Sequence, residues 1–184
     1  MKHFIRTTLA LATLSTFGAV TILAEPLAPG YVDFGKLSPS ASGGEFVEVR
    51  LNNNLISMVA RLAEREEPEI GEILRGLRSI RVNVMELDEA NRAEFKQRVS
   101  RISGKLDELG WDRVVTVRDG DEQVTVLVKT RGEEAVEGLF VSVIEGDKEA
   151  VLVNVVGDIR PEKLAMLGER FDIEPLKKAG LALK

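Results

Sequence analysis

The stretch RVVTVRDGDEQVTVLVKTRGEEAVEGLFVSVIEGDKEAVLVNVVGDI, residues 113–159, decides the fold. Apolar side chains recur in it at every second position: Val115 and Val117, then Val124, Val126 and Val128, then Leu139, Val141 and Val143, then Val151, Val153 and Val155. A period of two is the mark of strands with a buried face. Between the first two runs stands Asp119-Gly120-Asp121-Glu122. A two-residue loop at Gly120-Asp121, with Gly at the first position, pairs Val117 with Val124 and Val115 with Val126 and keeps the apolar faces in agreement. A three-residue loop at Gly146-Asp147-Lys148 likewise sets Leu139, Val141 and Val143 opposite Val155, Val153 and Val151. The last run is apolar on almost both faces, which places it centrally in the sheet. The connector from Thr130 to Gly138 is too long for a tight hairpin and has room for a helical turn.

Upstream the period changes. Phe46-Val47-Glu48-Val49-Arg50-Leu51 reads as a first short strand, and Asn52-Asn53-Asn54 supplies a helix cap. Leu55, Ile56, Val59 and Leu62 then lie at helical spacing. Pro68 restarts the helix, with Ile70, Ile73, Leu74 and Leu77 on one face. Ser79 to Leu87 alternates as a half-buried strand, with Ile80, Val82 and Val84 on one side and Arg81, Asn83 and Met85 on the other. Asp88 is the expected N-cap of a long helix whose stripe is Phe95, Val99, Ile102, Leu106 and Leu109, and Gly110 ends it. After Gly157-Asp158 a last helix is expected at Pro161, bearing Leu164 and Leu167.

The order strand, helix pair, strand, long helix, four strands, helix implies an α+β domain. The expected sheet is antiparallel or mixed, of about five to six strands, with helices packed mainly on one face.

The first 24 residues stand apart. Lys2, His3 and Arg6 form a positive n-region, Thr8 to Leu23 an apolar run, and Ile22-Leu23-Ala24 a small-residue cleavage site. The run is diluted by Thr13, Ser15, Thr16, Gly18 and Thr21, unlike a spanning helix of about 20 strongly apolar residues. The expected organisation is therefore a signal peptide over 1–24, a flexible leader over 25–44, a single α+β domain over 45–175 and a tail over 176–184. The leader is rich in Pro, Gly and Ser, yet Tyr31, Val32 and Phe34 offer it a way to dock.

Composition then constrains the chemistry. The 184 residues hold 25 Lys plus Arg, 30 Asp plus Glu, no Cys and one His, at position 3. Cleavage after Ala24 removes Lys2, Arg6 and that His, leaving 160 residues with 23 basic and 30 acidic side chains. Thiol nucleophiles, disulfides, the Ser-His-Asp relay and His/Cys zinc sites are thereby excluded from the mature chain. Stability has to come from packing, which about 160 residues can supply.

The run Trp111 to Val128, then Glu137-Gly138-Leu139-Phe140-Val141, then Val151 to Ile159 leading into Pro161-Glu162-Lys163-Leu164, resembles the bacterial envelope family catalogued as domain of unknown function 4252. The likeness covers roughly Phe46 to Phe171. It implies an exported protein. Many relatives are similarly exported and several look like lipoproteins, but no Cys is present here to carry lipid. The family lends no catalytic residues.

Several groups have the composition of a site. Asp119, Asp121 and Glu122 bring carboxylates together on a tight loop, but without the spacing of a calcium loop, and turn chemistry explains them. Glu133, Glu134 and Glu137 form a solvated charge run in a connector. Gly157-Asp158 before Pro161 reads as a helix cap rather than an anion site. Arg61, Arg65, Arg75, Arg78 and Arg81 are interleaved with Glu64, Glu66, Glu67, Glu69 and Glu72, which is a mixed helix face and not a basic stripe. Nucleic acid is therefore not an expected ligand. Asn154 in the apolar last strand reads as a hydrogen-bonded residue that pins sheet register.

No catalytic, cofactor-binding or metal-binding residue is singled out. The expectation is an exported, periplasmic or secreted protein without a stable membrane anchor, acting as a non-enzymatic interaction or envelope-sensing module whose partner is another envelope protein. The alternative is a carboxylate-dependent hydrolase or carbohydrate-acting enzyme. Mass spectrometry of the exported protein should find Glu25 at the N-terminus; an intact Met1 terminus on the exported species would refute the cleavage.

Overall fold

The structure is a computed structural model that describes residues 28–37, 43–146, 148–160, 163 and 166. In chain order its elements are β1 (Phe46–Asn52), α1 (Asn53–Glu66), α2 (Pro68–Gly76), β2 (Leu77–Glu86), α3 (Arg92–Glu108), β3 (Asp112–Asp119), β4 (Glu122–Arg131), β5 (Ala135–Glu145) and β6 (Glu149–Ile159). The six strands form one sheet in the order β1-β2-β6-β5-β4-β3, and every pairing is antiparallel. The α+β class inferred from the sequence is what the chain adopts.

Both hairpins take the register that the alternation dictates. Val115 faces Val126 and Val117 faces Val124, while Leu139, Val141 and Val143 face Val155, Val153 and Val151. The turn between β3 and β4 has Gly120 at φ +55°, a left-handed backbone that a side chain disfavours. The valine-rich β6 lies between β2 and β5, buried within the sheet as its two-sided apolar pattern requires.

Three local expectations are corrected. No helical turn fills Thr130 to Gly138: β4 runs to Arg131, β5 starts at Ala135, and irregular register at Lys129/Thr130 and Val136/Gly138 absorbs the extra length as bulges. Helix α3 begins at Arg92, not next to Asp88. The Asp88 carboxylate instead accepts from the backbone N–H groups of Ala90 and Asn91 at 2.9 and 2.8 Å, closing a turn before the helix. On α1 the buried residues are Ile56 and Ala60, whereas Leu55, Val59 and Leu62 stay exposed. The helix expected at Pro161 lies outside the described residues, apart from Lys163 and Met166.

Alternation divides the sheet into two apolar faces. One gathers Val124, Val126, Val128, Leu139 and Val141 with Ile56 of α1 and Leu74 of α2. The other gathers Leu127, Phe140, Ile144, Ala150 and Leu152 with Phe95, Val99 and Leu106 of α3. Two of the three described helices thus share one face and the third lies on the opposite one. Each fully buried Leu, Val or Phe contributes about 1.5–3 kcal/mol.

The second face is completed by the segment before the domain. Val32 and Phe34 are 2% and 1% exposed and belong to the same cluster as α3. Gly30, Val32 and Phe34, within the segment expected as a leader, are therefore buried against the domain. Buried Asn154 explains why: its Oδ1 accepts from the Val32 N–H at 3.0 Å, and its Nδ2 donates to the Gly30 and Leu139 carbonyls at 2.9 and 3.1 Å. The amide is hydrogen-bonded, as expected, but it fastens the leader as well as the sheet. Backbone meets backbone where Gly30 crosses Gly138, and a Cβ on Gly138 would overlap the Gly30 Cα and the Trp111 ring. From the solvent side, the Arg98 guanidinium donates to the Phe34 and Lys36 carbonyls. Phe34 packs on Phe140 with ring centroids 5.9 Å apart.

Asn154→Ala should cost about 2–4 kcal/mol, since it strands the buried Val32 N–H and Gly30 C=O and leaves a void. Gly138→Ala should cost about 1–3 kcal/mol through overlap alone. Urea unfolding of both variants measures this, and a loss below about 0.5 kcal/mol for Asn154→Ala would contradict the clamp.

Candidate functional site

The acidic groups of the sequence do not converge. Asp119 and Glu122 face each other across the β3–β4 turn, exposed like Asp121 between them. Glu133 and Glu134 stand exposed in the next turn, while Glu137 reaches Arg131 at 3.6 Å. Among the described residues no three His, Cys, Asp or Glu side chains group so as to hold a metal ion.

Glu72 and Asp158 are the carboxylates that line a common depression, of about 130 Å³, with Ile73, Ile159, Arg160 and Lys163. Each already has basic partners. Glu72 pairs with Arg160 and with Lys163, and Asp158 with Arg131 at 2.9 Å. The Lys163 ammonium, with Arg160 behind it, holds the Glu72 carboxyl below its ordinary range. Asp158 raises the Arg131 guanidinium further. A general acid at neutral pH needs the opposite shift. Gly157 is packed against Gly76 and Leu77, so this junction joins the end of β6 to the start of β2 and offers no open cradle for an anion.

A larger cleft, about 330 Å³, runs between residues 28–33 and the end of α3, lined by Ile102, Lys105, Leu106, Leu109, Trp111 and Lys129. Lys129 is engaged there, donating to the Leu109 and Gly110 carbonyls at 2.8 and 3.0 Å and neutralising the negative end of the helix. The cleft holds no pair of groups suited to acid–base work.

Two strands, β1 and β3, end the sheet with one flank unpaired among the described residues, and β1 is the one that exposes apolar side chains. Strand β1 is an edge: β2 pairs with one flank and the other is free among the described residues. Its residues alternate Val47, Glu48, Val49, Arg50, with both valines exposed, at 39% and 40%. Edge strands are usually blunted by Pro, Lys or inward-pointing charge, and β1 has none of these on its valine face. Asn52 at its end caps α1 by accepting from the Leu55 N–H at 3.0 Å.

Helix α1 extends this surface. Leu55, Met58, Val59 and Leu62 recur at i, i+3, i+4 and i+7 and form a second apolar stripe, with Leu62 66% exposed. The direction of the stripe follows from what the rest of α1 touches. Ile56 and Ala60 point to the sheet, where α1 lies over β1 and β2. Glu64 points to α2, because Gly71 packs against it and Arg75 pairs with it at 2.9 Å. Leu55 precedes Glu64 by nine residues, about two and a half turns, so it lies on the opposite side of α1. Helix α2 lies over β2 and β6, so the stripe points the other way, past β1.

The second face of β1 is charged. The Arg50 and Arg81 Nε groups donate to Glu48 Oε1 at 2.8 and 3.2 Å, and the Arg81 guanidinium lies 4.7 Å from the Phe34 ring centroid. The Arg50 hydrogen bond holds the Glu48 carboxyl below its ordinary range.

The model of the family described as "Domain of unknown function (DUF4252)" matches residues 42–167. No curated protein matches the chain, and no solved structure does. No described helix is long and apolar enough to cross a membrane.

A carboxyl whose folded pKa is depressed stabilises the fold above its unfolded pKa and loses that contribution as pH falls through the folded value. Glu48→Gln should therefore flatten the fall in Tm between about pH 5 and pH 3 while changing Tm little on the acid side of that window. Thermal melts of both proteins over this range would contradict the ion pair if the two curves stayed parallel.

Proposed function

Since the chain belongs to the DUF4252 family, whose description assigns no activity, we propose from its own geometry that it is an exported, non-enzymatic protein-interaction module of the bacterial envelope. The docking surface is the open side made by β1 and the outer stripe of α1. The observation that carries this is a single one: an unblunted edge strand with exposed valines lies beside four exposed apolar side chains on the adjoining helix. Scattered apolar residues on a surface are ordinary, but exposed apolar residues beside backbone donors and acceptors that are unpaired among the described residues are the arrangement of an interface. Export is supported by the pattern of residues 1–24, and an envelope location by the family resemblance. The partner is a protein, because strand addition supplies main-chain hydrogen bonds and the stripe supplies apolar area.

The test is a photo-reactive residue placed at Leu62 in the native host, in the parent chain and in a Leu55→Glu/Met58→Glu variant. Both substituted positions are exposed, so Tm should change little, within about 0.5 kcal/mol of stability. The parent chain should give a discrete adduct and the variant should lose it. Identical adduct patterns in the two proteins would sink the reading.

A further inference from the structure

The edge is complementary to itself, and we infer that its partner is a second copy of this chain, joined β1 to β1 across a two-fold axis at Val49. The inference deepens the docking-surface reading and rests on it. Strand β1 has seven residues, Phe46–Asn52, with Val49 at its middle. In an antiparallel pair centred there, Val49 meets Val49 of the second copy and Val47 meets Leu51 on the helix-bearing face. On the other face Glu48 meets Arg50, twice.

Alternative registers are penalised by the same residues. A shift of two positions opposes Glu48 to Glu48, or Arg50 to Arg50, and like charges directly across a strand pair are destabilising. A slip of one position sends the charged side chains to the valine face. The sequence of the edge therefore selects one pairing, as an isologous contact requires.

The helices agree with it. A two-fold axis normal to the sheet keeps both α1 helices on the same face, each with its stripe directed past its own β1. Helix α1 lies over β1 and β2, so the axes of the two copies would be separated by about two strand spacings, roughly 9.6 Å. Packed helices sit about 8–10 Å apart. Leu55, Val59 and Leu62 of each copy would then fill the groove above the joined strands. One six-stranded sheet would become twelve, and the unblunted edge would disappear from both copies.

The chain contains no Cys, so engineered thiols report without background. Val49→Cys should form an intermolecular disulfide with itself on mild oxidation, because directly opposite strand residues lie within disulfide reach. Val47→Cys alone should not, whereas Val47→Cys combined with Leu51→Cys should. In sedimentation equilibrium the mature chain should be a dimer. Glu48→Arg should weaken it by at least about tenfold, and Glu48→Arg/Arg50→Glu should restore it by exchanging the signs. A monomer at all concentrations, or a Val49→Cys chain that stays reduced, would overturn the proposal. A photo-reactive residue at Val49 in the native host separates the readings. Adducts to another copy support both, and adducts only to a different protein overturn the second copy but retain the docking surface. Adducts only within the chain, or none at Val49 and Leu62, overturn both.

Discussion

One buried amide holds the two ends of this domain together. Asn154, in the central strand of the sheet, spends its oxygen on the Val32 N–H and its nitrogen on the Gly30 and Leu139 carbonyls. Those bonds fix a segment that would otherwise show unpaired backbone groups to an apolar core, where an unsatisfied donor or acceptor costs about 1–3 kcal/mol. Once residues 30–34 are fixed, Phe34 can pack on Phe140 and under Arg81, and α3 can close over them through Arg98. The second layer of the fold depends on that sequence of contacts. Two glycines make it possible, because Gly30 and Gly138 approach too closely for either to carry a Cβ.

The same arrangement engages several of the ionisable groups. Ionisable groups that come near one another are spent on structure: Lys129 on the end of α3, Arg131 on Asp158, Arg160 and Lys163 on Glu72. Lys163 and Arg160 hold the Glu72 carboxyl below its ordinary range and Asp158 raises the Arg131 guanidinium, as in ion pairs that hold elements together. Burial has been allotted almost wholly to apolar residues, with Asn83, Ser103, Ser142 and Asn154 the buried polar exceptions among the described residues. The surface is uneven. The sheet is covered above and below by helices and by residues 28–37, whereas β1 ends it without a cover among the described residues.

How much of this was legible beforehand varied with sequence separation. The turns at Gly120 and between Glu145 and Glu149, the Asn52 cap and the Pro68 restart are local, and local residues specify them. In the Pro-, Gly- and Ser-rich leader, Val32 and Phe34 were legible as residues able to dock, but not where the segment comes to rest. Its docking depends on Asn154, 122 residues further on. Helix α1 was harder still. Leu55, Ile56, Val59 and Leu62 fit one helical face on paper, but α1 is apolar around more than half its circumference, and periodicity cannot say which part meets the sheet. Only the position of α2, fixed through Glu64, Gly71 and Arg75, turns Leu55, Val59 and Leu62 outward. The candidate surface was visible as residues and invisible as a surface.

By itself the sequence determined the class of fold, the register of the hairpins and the absence of Cys and of any His beyond position 3. Those follow from alternation, turn residues and counting, each of which acts over a few positions or none. Tertiary structure alone decided which strands became the edges, which side of α1 faced solvent and where residues 28–37 came to rest. Such outcomes depend on strand order and on contacts between residues more than a hundred positions apart. No local preference encodes them, because the free energy that selects them exists only once both faces of the sheet are packed.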